Sequence, residues 1–275
     1  MTTQSQRDLI TVIIPCFNHE DYVERAVMSV LDQTYSDVEL VVIDDGSRDC
    51  SVERLQALRD HFDFTLVCQE NLGVCRTLNR GIREHANGNY IALLASDDFW
   101  HPDKLRLQLR ELQLHPEHEF CFSQAIEFND ESNVDAGKVF PRKCLSGYVL
   151  DKVFVRQHVP AGTMLFSRQL YDRLGGFDES LKEEDWDFVI RSAALTPFVS
   201  VASPLLYYRS HQANTMKTRG RLKIFLEKTK ILKKNSSLVS RQRLIFVLLL
   251  HFLYDVFFYR FHSFYYKILK IKNWS

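Results

Sequence analysis

Short apolar runs alternate with amphipathic stretches through the first part of the chain. Leu9–Pro15 is a β-rich run ending in proline, and Glu20–Gln33 sets Tyr22, Val23, Ala26, Val27, Val30 and Leu31 at helical spacing. VELVVIDDGS reads as a buried strand ending in carboxylates, and Ser51–His61 as a second amphipathic helix. Phe64–Cys68 reads as a third strand, Cys75–Ala86 as a third helix and Tyr90–Leu94 as a fourth strand. This βαβαβαβ rhythm, with nearly continuous apolar strands, predicts an α/β fold: a mostly parallel sheet covered by helices on both faces. Ligands of such sheets sit beyond the carboxyl ends of the strands. Three strands end in polar loops, PCFNHE, DDGSRD and SDDFW, which are expected to converge on one crevice.

Farther along, Pro102 suits the first turn of a helix over His101–Leu114, and Phe120–Phe128 looks like a strand. Residues 129–147 are polar and irregular. Glu184–Ala194 should be helical, and Phe198–Val201 and Leu205–Arg209 are strand-like. From about Thr215 the chain becomes a basic, then strongly apolar, helical tail. No internal repeat or low-complexity segment interrupts it.

Composition narrows this picture modestly. Hydrophobic residues make up 45% and charged residues 25% of the 275, as in an ordinary globular protein. Lys+Arg 35 balances Asp+Glu 35, so bulk charge gives no case for nucleic acid. Most of the acid precedes residue 190, whereas 215–275 is rich in Lys and Arg. Cys16, Cys50, Cys68, Cys75, Cys121 and Cys144 show neither CxxC nor metal-ligand spacing; they read as buried or semi-buried thiols of a reducing compartment. The first apolar run is short and follows an acid, so it is a strand and not a secretory signal, and the chain is expected in the cytoplasm.

Four polar clusters could carry chemistry. Asp44-Asp45 after a strand can form an Asx-type turn, or accept hydrogen bonds from a ribose or base. Asp97-Asp98 can cap a helix, or hold a hard divalent cation against phosphate oxygens. Glu183, Glu184, Asp185 and Asp187 of EEDWDF can merely oppose a helix dipole. His211 in YYRSHQANT is, alone, an ordinary histidine. No GxGxxG follows the first strand and no GxxxxGK[ST] occurs, which excludes a dinucleotide fingerprint and a P-loop.

In this order and spacing the motifs resemble the family-2 nucleotide-sugar glycosyltransferases of the Rossmann-like GT-A fold. The matching residues run from VIIPCFNHEDYVERAVMSVLDQTYSDVELVVIDDGSRD through NLGVCRTLNRGIREHANGNYIALLASDDFWHPDKL to LGGFDESLKEEDWDF and YYRSH. The resemblance implies inverting transfer of a sugar from a nucleoside-diphosphate sugar, UDP foremost, to a hydroxyl of a glycan or glycolipid acceptor in cell-surface polysaccharide assembly. It implies that the Pro15–Asn18 loop and Asp45 hold base and ribose, with Asp44 nearby. Phe17, Glu20, Gly73, Arg76, Asp97, Glu184 and Arg209 complete the implied donor site. Asp98 and His211 would hold Mn²⁺ or Mg²⁺, Asp185 would be the general base, and Arg209 and His211 belong to a Y-R-x-H segment that closes over the diphosphate. Ala95 stands where many members carry an acid. On this resemblance residues 1–214 form the transferase domain, with 1–100 binding nucleotide and 101–214 the acceptor, and 215–275 is an extension. A nucleotidyltransferase, or a nucleotide- or glycan-binding module without turnover, are the alternatives.

Displacement at an anomeric carbon needs a base on the acceptor side and charge neutralisation on the leaving diphosphate. These jobs lie on opposite faces of the sugar, so base and cation site should come from separate segments.

Leu244 to Phe261 nearly reaches the length of a membrane span but contains His251, Asp255 and Arg260. A helix at the membrane interface, spanning 222–275 and placing the protein at the inner face of the plasma membrane, is the preferred reading. Packing against the domain or in a homodimer comes second and a true span last.

Overall fold

The computed structural model describes residues 8–129, 131–181, 184–211 and 220–257. Glu183, the 212–219 stretch where the tail begins, and 258–275 lie outside them. The predicted rhythm is present as β1 (Ile10–Cys16), α1 (Val23–Leu31), β2 (Val38–Asp44), α2 (Ser51–Arg59), β3 (Thr65–Cys68), α3 (Val74–Arg80, continued by a π turn) and β4 (Tyr90–Leu93). Next come β5 (Phe99–Trp100), α4 (Lys104–Leu114), β6 (Phe120–Phe128), β7 (Lys138–Phe140), α5 (Leu150–Val155), β8 (Leu165–Ser167), α6 (Arg168–Leu174), α7 (Glu184–Leu195) and β9 (Phe198–Arg209). The tail contributes α8 (Arg221–Lys234) and α9 (Arg241–Phe252), the latter running into a π turn, Leu253–Phe257.

The strands form one mixed sheet in the order β3-β2-β1-β4-β8-β6-β9-β5, with β7 on β6. The first four are parallel. β8 runs antiparallel to β4 and β6, β9 parallel to β6, and β5 antiparallel to β9. Alternation along β1 explains the two apolar layers. Ile10, Val12 and Ile14 face α1, α2 and α4 through Val27, Leu55 and Leu105. Ile13 faces α3, α6 and α7 through Leu78, Leu170 and Phe188. Side chains buried this fully contribute about 1.5–3 kcal/mol each. The amphipathic faces follow: α1 buries Val23, Ala26, Val27 and Val30, spaced three and four apart.

Local expectations change where distant partners intervene. The aromatic pair Phe99-Trp100, given no element by the local pattern, is a two-residue strand, because it pairs with Tyr207 and Leu206 of β9, and Phe99 stacks on Tyr207 at 4.6 Å. The helix accordingly begins later, at Lys104. The two strand-like segments before Arg209 are one strand with an irregularity around Pro204, which lacks the N–H a regular ladder requires. The irregular 129–147 region contains β7 and a short 3₁₀ segment, and α5, β8 and α6 follow it. Cys50 and Cys68 are exposed, unlike the buried Cys16, Cys75 and Cys121.

The described part of the tail packs on the domain. Ile231, Leu232 and Val247 join Phe154, Val155, Trp186 and Ile190 in a third apolar cluster. Asp187, fully buried on α7, accepts hydrogen bonds from Arg191, Lys234 and Asn235. The His251 ring lies 5.5 Å from that of Trp186, with its Nε2 2.9 Å from the Val155 carbonyl. Lys228 pairs with buried Asp255 at 2.9 Å. Among the described residues no helix is long and apolar enough to cross a membrane.

Candidate active site

The β1 and β2 loops knit together at the carboxyl edge of the sheet. Asp44 Oδ2 accepts from the Gly46 and Ser47 backbone N–H groups, an Asx turn, while its Oδ1 is buried without a partner. Gly46 takes φ +79°, and a Cβ there would lie 2.9 Å from the Asn71 backbone nitrogen. Asp45 receives Gln69 Nε2 at 2.7 Å, Leu72 N at 2.8 Å and Gly73 N at 2.9 Å. Gly73, at φ +86°, thereby starts α3 under the Asp45 carboxylate. Asn18, itself at φ +55°, accepts from the Arg48 backbone N–H, and its own N–H donates to Ser47. Glu20 accepts from Cys50 N, and Glu20 N donates to Asp49. Pro15 ends the apolar part of β1, Phe17 is 43% exposed over the loop, and Arg76 pairs with Glu179 at 3.4 Å.

The SDD segment is held by the register of β5 on β9. Pairing Phe99 with Tyr207 sets Asp97 and Asp98 against Arg209. Asp98 Oδ1 accepts the Arg209 backbone N–H at 2.8 Å, and Arg209 Nε donates to the Asp97 carbonyl at 2.8 Å. The guanidinium stands 4.5 Å over the Tyr22 ring and 4.9 Å over Phe128, and Glu131 bridges it to Arg25. Burial first, and the neighbouring Asp97 charge second, raise the Asp98 carboxyl well above the usual range.

Asp97 points to a different group. Its Oδ2 lies 3.0 Å from His211 Nε2, and one ligand atom each of Asp97, His211 and His19 falls within 4.8 Å of the others. His19 Nδ1 is 2.8 Å from Ser96 Oγ, and the His211 ring stacks on Tyr22 at 5.5 Å. Burial lowers the His19 pKa, favouring the neutral imidazole that binds metal. Two imidazoles and a carboxylate form a donor set suited to a first-row divalent metal, and less to Mg²⁺, which prefers oxygen.

Asp98 and Asp185 meet elsewhere, in a cavity of about 800 Å³ also lined by Ala95, Lys138, Arg156, Tyr208 and Tyr254. Asp185, in the first turn of α7, accepts from Gln157 Nε2 at 2.9 Å and from Trp186 N at 2.8 Å. Burial raises its pKa. Among the described residues it makes no ion pair, so a carboxylate more basic than usual lines the cavity. Glu184 opens the same helix. Trp100 Nε1 donates to the Gly162 carbonyl at 2.8 Å, fixing part of the cavity wall.

The structure therefore groups the expected residues in three places: Pro15, Phe17, Asn18, Glu20, Asp44, Asp45, Gly73 and Arg76 along the β1–β2–α3 edge, Asp97, Arg209 and His211 at the centre, and Asp98 with Asp185 on the cavity. His19, Gln157 and Tyr254 were not singled out by the sequence reading. His19 stands inside the quoted PCFNHE loop, where an imidazole beside a polar strand end was its signal; nothing local marks the other two.

The mixed sheet with its carboxyl-edge crevice and acidic strand ends has the architecture of the GT-A fold. The profile of Glycosyl transferase family 2 matches residues 11–175, more than half of the chain, and the chain belongs to that family. The putative teichuronic acid biosynthesis glycosyltransferase TuaG of Bacillus subtilis is 39% identical over 105 residues, 38% of this chain and 41% of TuaG. Curated relatives align over 30% to 69% of their own lengths. S. aureus TarS 1-349, solved with UDP-GlcNAc, superposes with a TM-score of 0.70 at 17% identity, over 96% of this chain and 76% of that one. The mannosyltransferase PcManGT from Pyrobaculum calidifontis, solved with GDP-Man and Mn²⁺, gives 0.63 at 18% identity, over 91% and 70%. At these identities the two structures establish a shared fold.

Proposed function

We propose that the protein is an inverting glycosyltransferase that moves a sugar from a nucleoside-diphosphate sugar, UDP being the leading carrier, to a hydroxyl of a glycan or lipid-linked acceptor. Cell-surface polysaccharide assembly is the setting, in line with what TuaG is named for. The observation that carries the reading is the common cavity of Asp98 and Asp185, which brings the acidic strand end and the carboxylate of α7 together from separate segments.

Residues 1–100 supply the nucleotide side: Asp45, Asn18 and Phe17 face base and ribose, with Arg76 and Gly73 at the mouth. Arg209 faces the diphosphate. His19, Asp97 and His211 hold the divalent cation, Mn²⁺ by the chemistry of the donors, with Asp98 beside them. When bound, the cation neutralises charge on the leaving diphosphate. On the other side Asp185 removes the proton from the attacking acceptor hydroxyl. Its raised pKa makes it a better proton acceptor once ionised, and Gln157 orients it. From the 101–214 half, Asp185 with Gln157 thus serves the acceptor, while Arg209 and His211 reach back to the donor.

A thermal-shift panel of nucleotide sugars with Mn²⁺, Mg²⁺ or EDTA tests this. Selective stabilisation by one UDP-sugar with Mn²⁺, lost in EDTA, is expected; a shift of RT ln(1 + [L]/Kd) reports the affinity. No stabilisation by any nucleotide sugar under any metal condition overturns the donor assignment.

A further inference from the structure

Helix α9 and the turn after it present two opposite faces. Val247, His251 and Asp255 are buried against the domain. Ile245, Phe246, Leu249, Phe252, Leu253 and Val256 are all 39% exposed or more. Their spacing puts them on one stripe of the helix surface, roughly a third of its circumference. Leu222 and Leu226 of α8 are 60% and 56% exposed, and Phe225 of α8 meets Phe252 ring to ring at 5.7 Å, so the two helices form one continuous apolar surface. An exposed patch of this kind marks an interaction site.

The surrounding charge selects the partner. Lys223, Lys233 and Arg241 are exposed on the same two helices. The only acids between residues 220 and 257 are Glu227 and Asp255, and Asp255 is buried and paired with Lys228. A second copy meeting this surface about a two-fold axis would bring two sets of like charges together. An anionic lipid surface satisfies both features: acyl chains take the stripe and headgroups take the cations.

We infer that α8 and α9 seat the protein on an anionic membrane surface, lying in the interface without crossing it. Tyr254, from the same turn that carries the exposed Leu253 and Val256, lines the cavity of Asp98 and Asp185. The lipid-facing stripe therefore ends at the rim of the acceptor cavity. Seated this way, the cavity receives an acceptor hydroxyl carried on a lipid of the same surface. That last link rests on the transferase reading; the seating itself does not.

The test is flotation of the full chain with phosphatidylcholine vesicles, with and without phosphatidylglycerol. Flotation with the anionic vesicles at low salt is expected, and much less with the neutral ones. The double variant Phe246→Ser/Leu249→Ser, altering two exposed side chains, should lose about tenfold or more in vesicle affinity. Its melting temperature and its stabilisation by nucleotide sugar should match wild type. Three results overturn the inference: no flotation with either vesicle, flotation unchanged in the double variant, or a solution dimer that the double variant dissolves, which would make the face a subunit interface. Loss of flotation with intact nucleotide-sugar stabilisation separates this seating from the donor reading. The reverse outcome, flotation without any donor stabilisation, would leave the seating standing and remove the transferase reading.

Discussion

Asp185 and Asp187 stand two residues apart on α7 and serve opposite surroundings. Asp187 is fully buried among Arg191, Lys234 and Asn235, and joins the tail helix to the domain. Asp185 has one side-chain amide and one backbone N–H as partners and looks into the cavity. The carboxylate between two cations is a structural tie. One desolvated without a cation is pushed toward protonation, hence toward basicity. The same contrast repeats at Asp97 and Asp98: Asp97 meets His211, whereas Asp98 is desolvated against the Arg209 backbone.

Asp185→Asn probes this contrast with the largest expected effect. Transfer should fall by about 10²–10⁴-fold, the scale of a lost general base, with the melting temperature within a degree or two of wild type. In the wild type the acid limb of the rate profile should lie above the ordinary Asp value of 3.8, because Asp185 is raised and must be ionised to act. Transfer by the Asn variant equal to wild type would falsify the base assignment.

Asp187→Ala should do the opposite. It leaves Arg191 and Lys234 without their buried partner, costing about 3 kcal/mol of stability, or roughly 6–12 °C in melting temperature. A scanning-calorimetry trace that matches wild type would show that the tail is not anchored through α7.

Asp98→Asn separates function from stability more finely. The folded-state pKa of Asp98 is raised, so the native protein holds a proton that the unfolded chain has released above 3.8. Wild-type stability therefore declines as pH rises through that window. With cations removed by EDTA, the Asn variant should match wild type near pH 3.8 and melt higher at neutral pH. A gain that is constant across pH would point to packing and away from charge.

The smallest effect concerns the nucleotide edge. Gly73→Ala meets no neighbour within 4 Å but places a Cβ at φ +86°, which costs about 1 kcal/mol. If urea unfolding shows no loss, the positive φ at Gly73 is not what the start of α3 under Asp45 requires.

Much of the β1–β4 region was legible in the chain. Four parallel strands buried on both faces need long apolar runs, and helices between them need apolar residues at three- and four-residue spacing, so β1 to β4 and α1 to α3 announced themselves. The region after β4 was less legible. β5, β7 and β8 are two or three residues long, too short for any period to show, and exist because β9 or β6 offers a partner. The sheet is mixed and not wholly parallel for the same reason. Gln157 and Tyr254 reach Asp185 and its cavity from elements with no local chemical mark.

By itself, then, the sequence determined which segments are strands and helices from β1 through β4, and which acids follow those strands. Both follow from the local alternation of apolar and polar positions, and the ordered motifs carried the family. Only the tertiary structure decided what each acid does. Whether a carboxylate meets a cation, an imidazole, a backbone N–H or an open cavity depends on residues some 30 to 110 positions away. Burial and partners, not residue type, set its charge. The tail shows the same division: its aromatic and basic composition was plain in the chain, but only packing determined which face met the domain and which was left exposed.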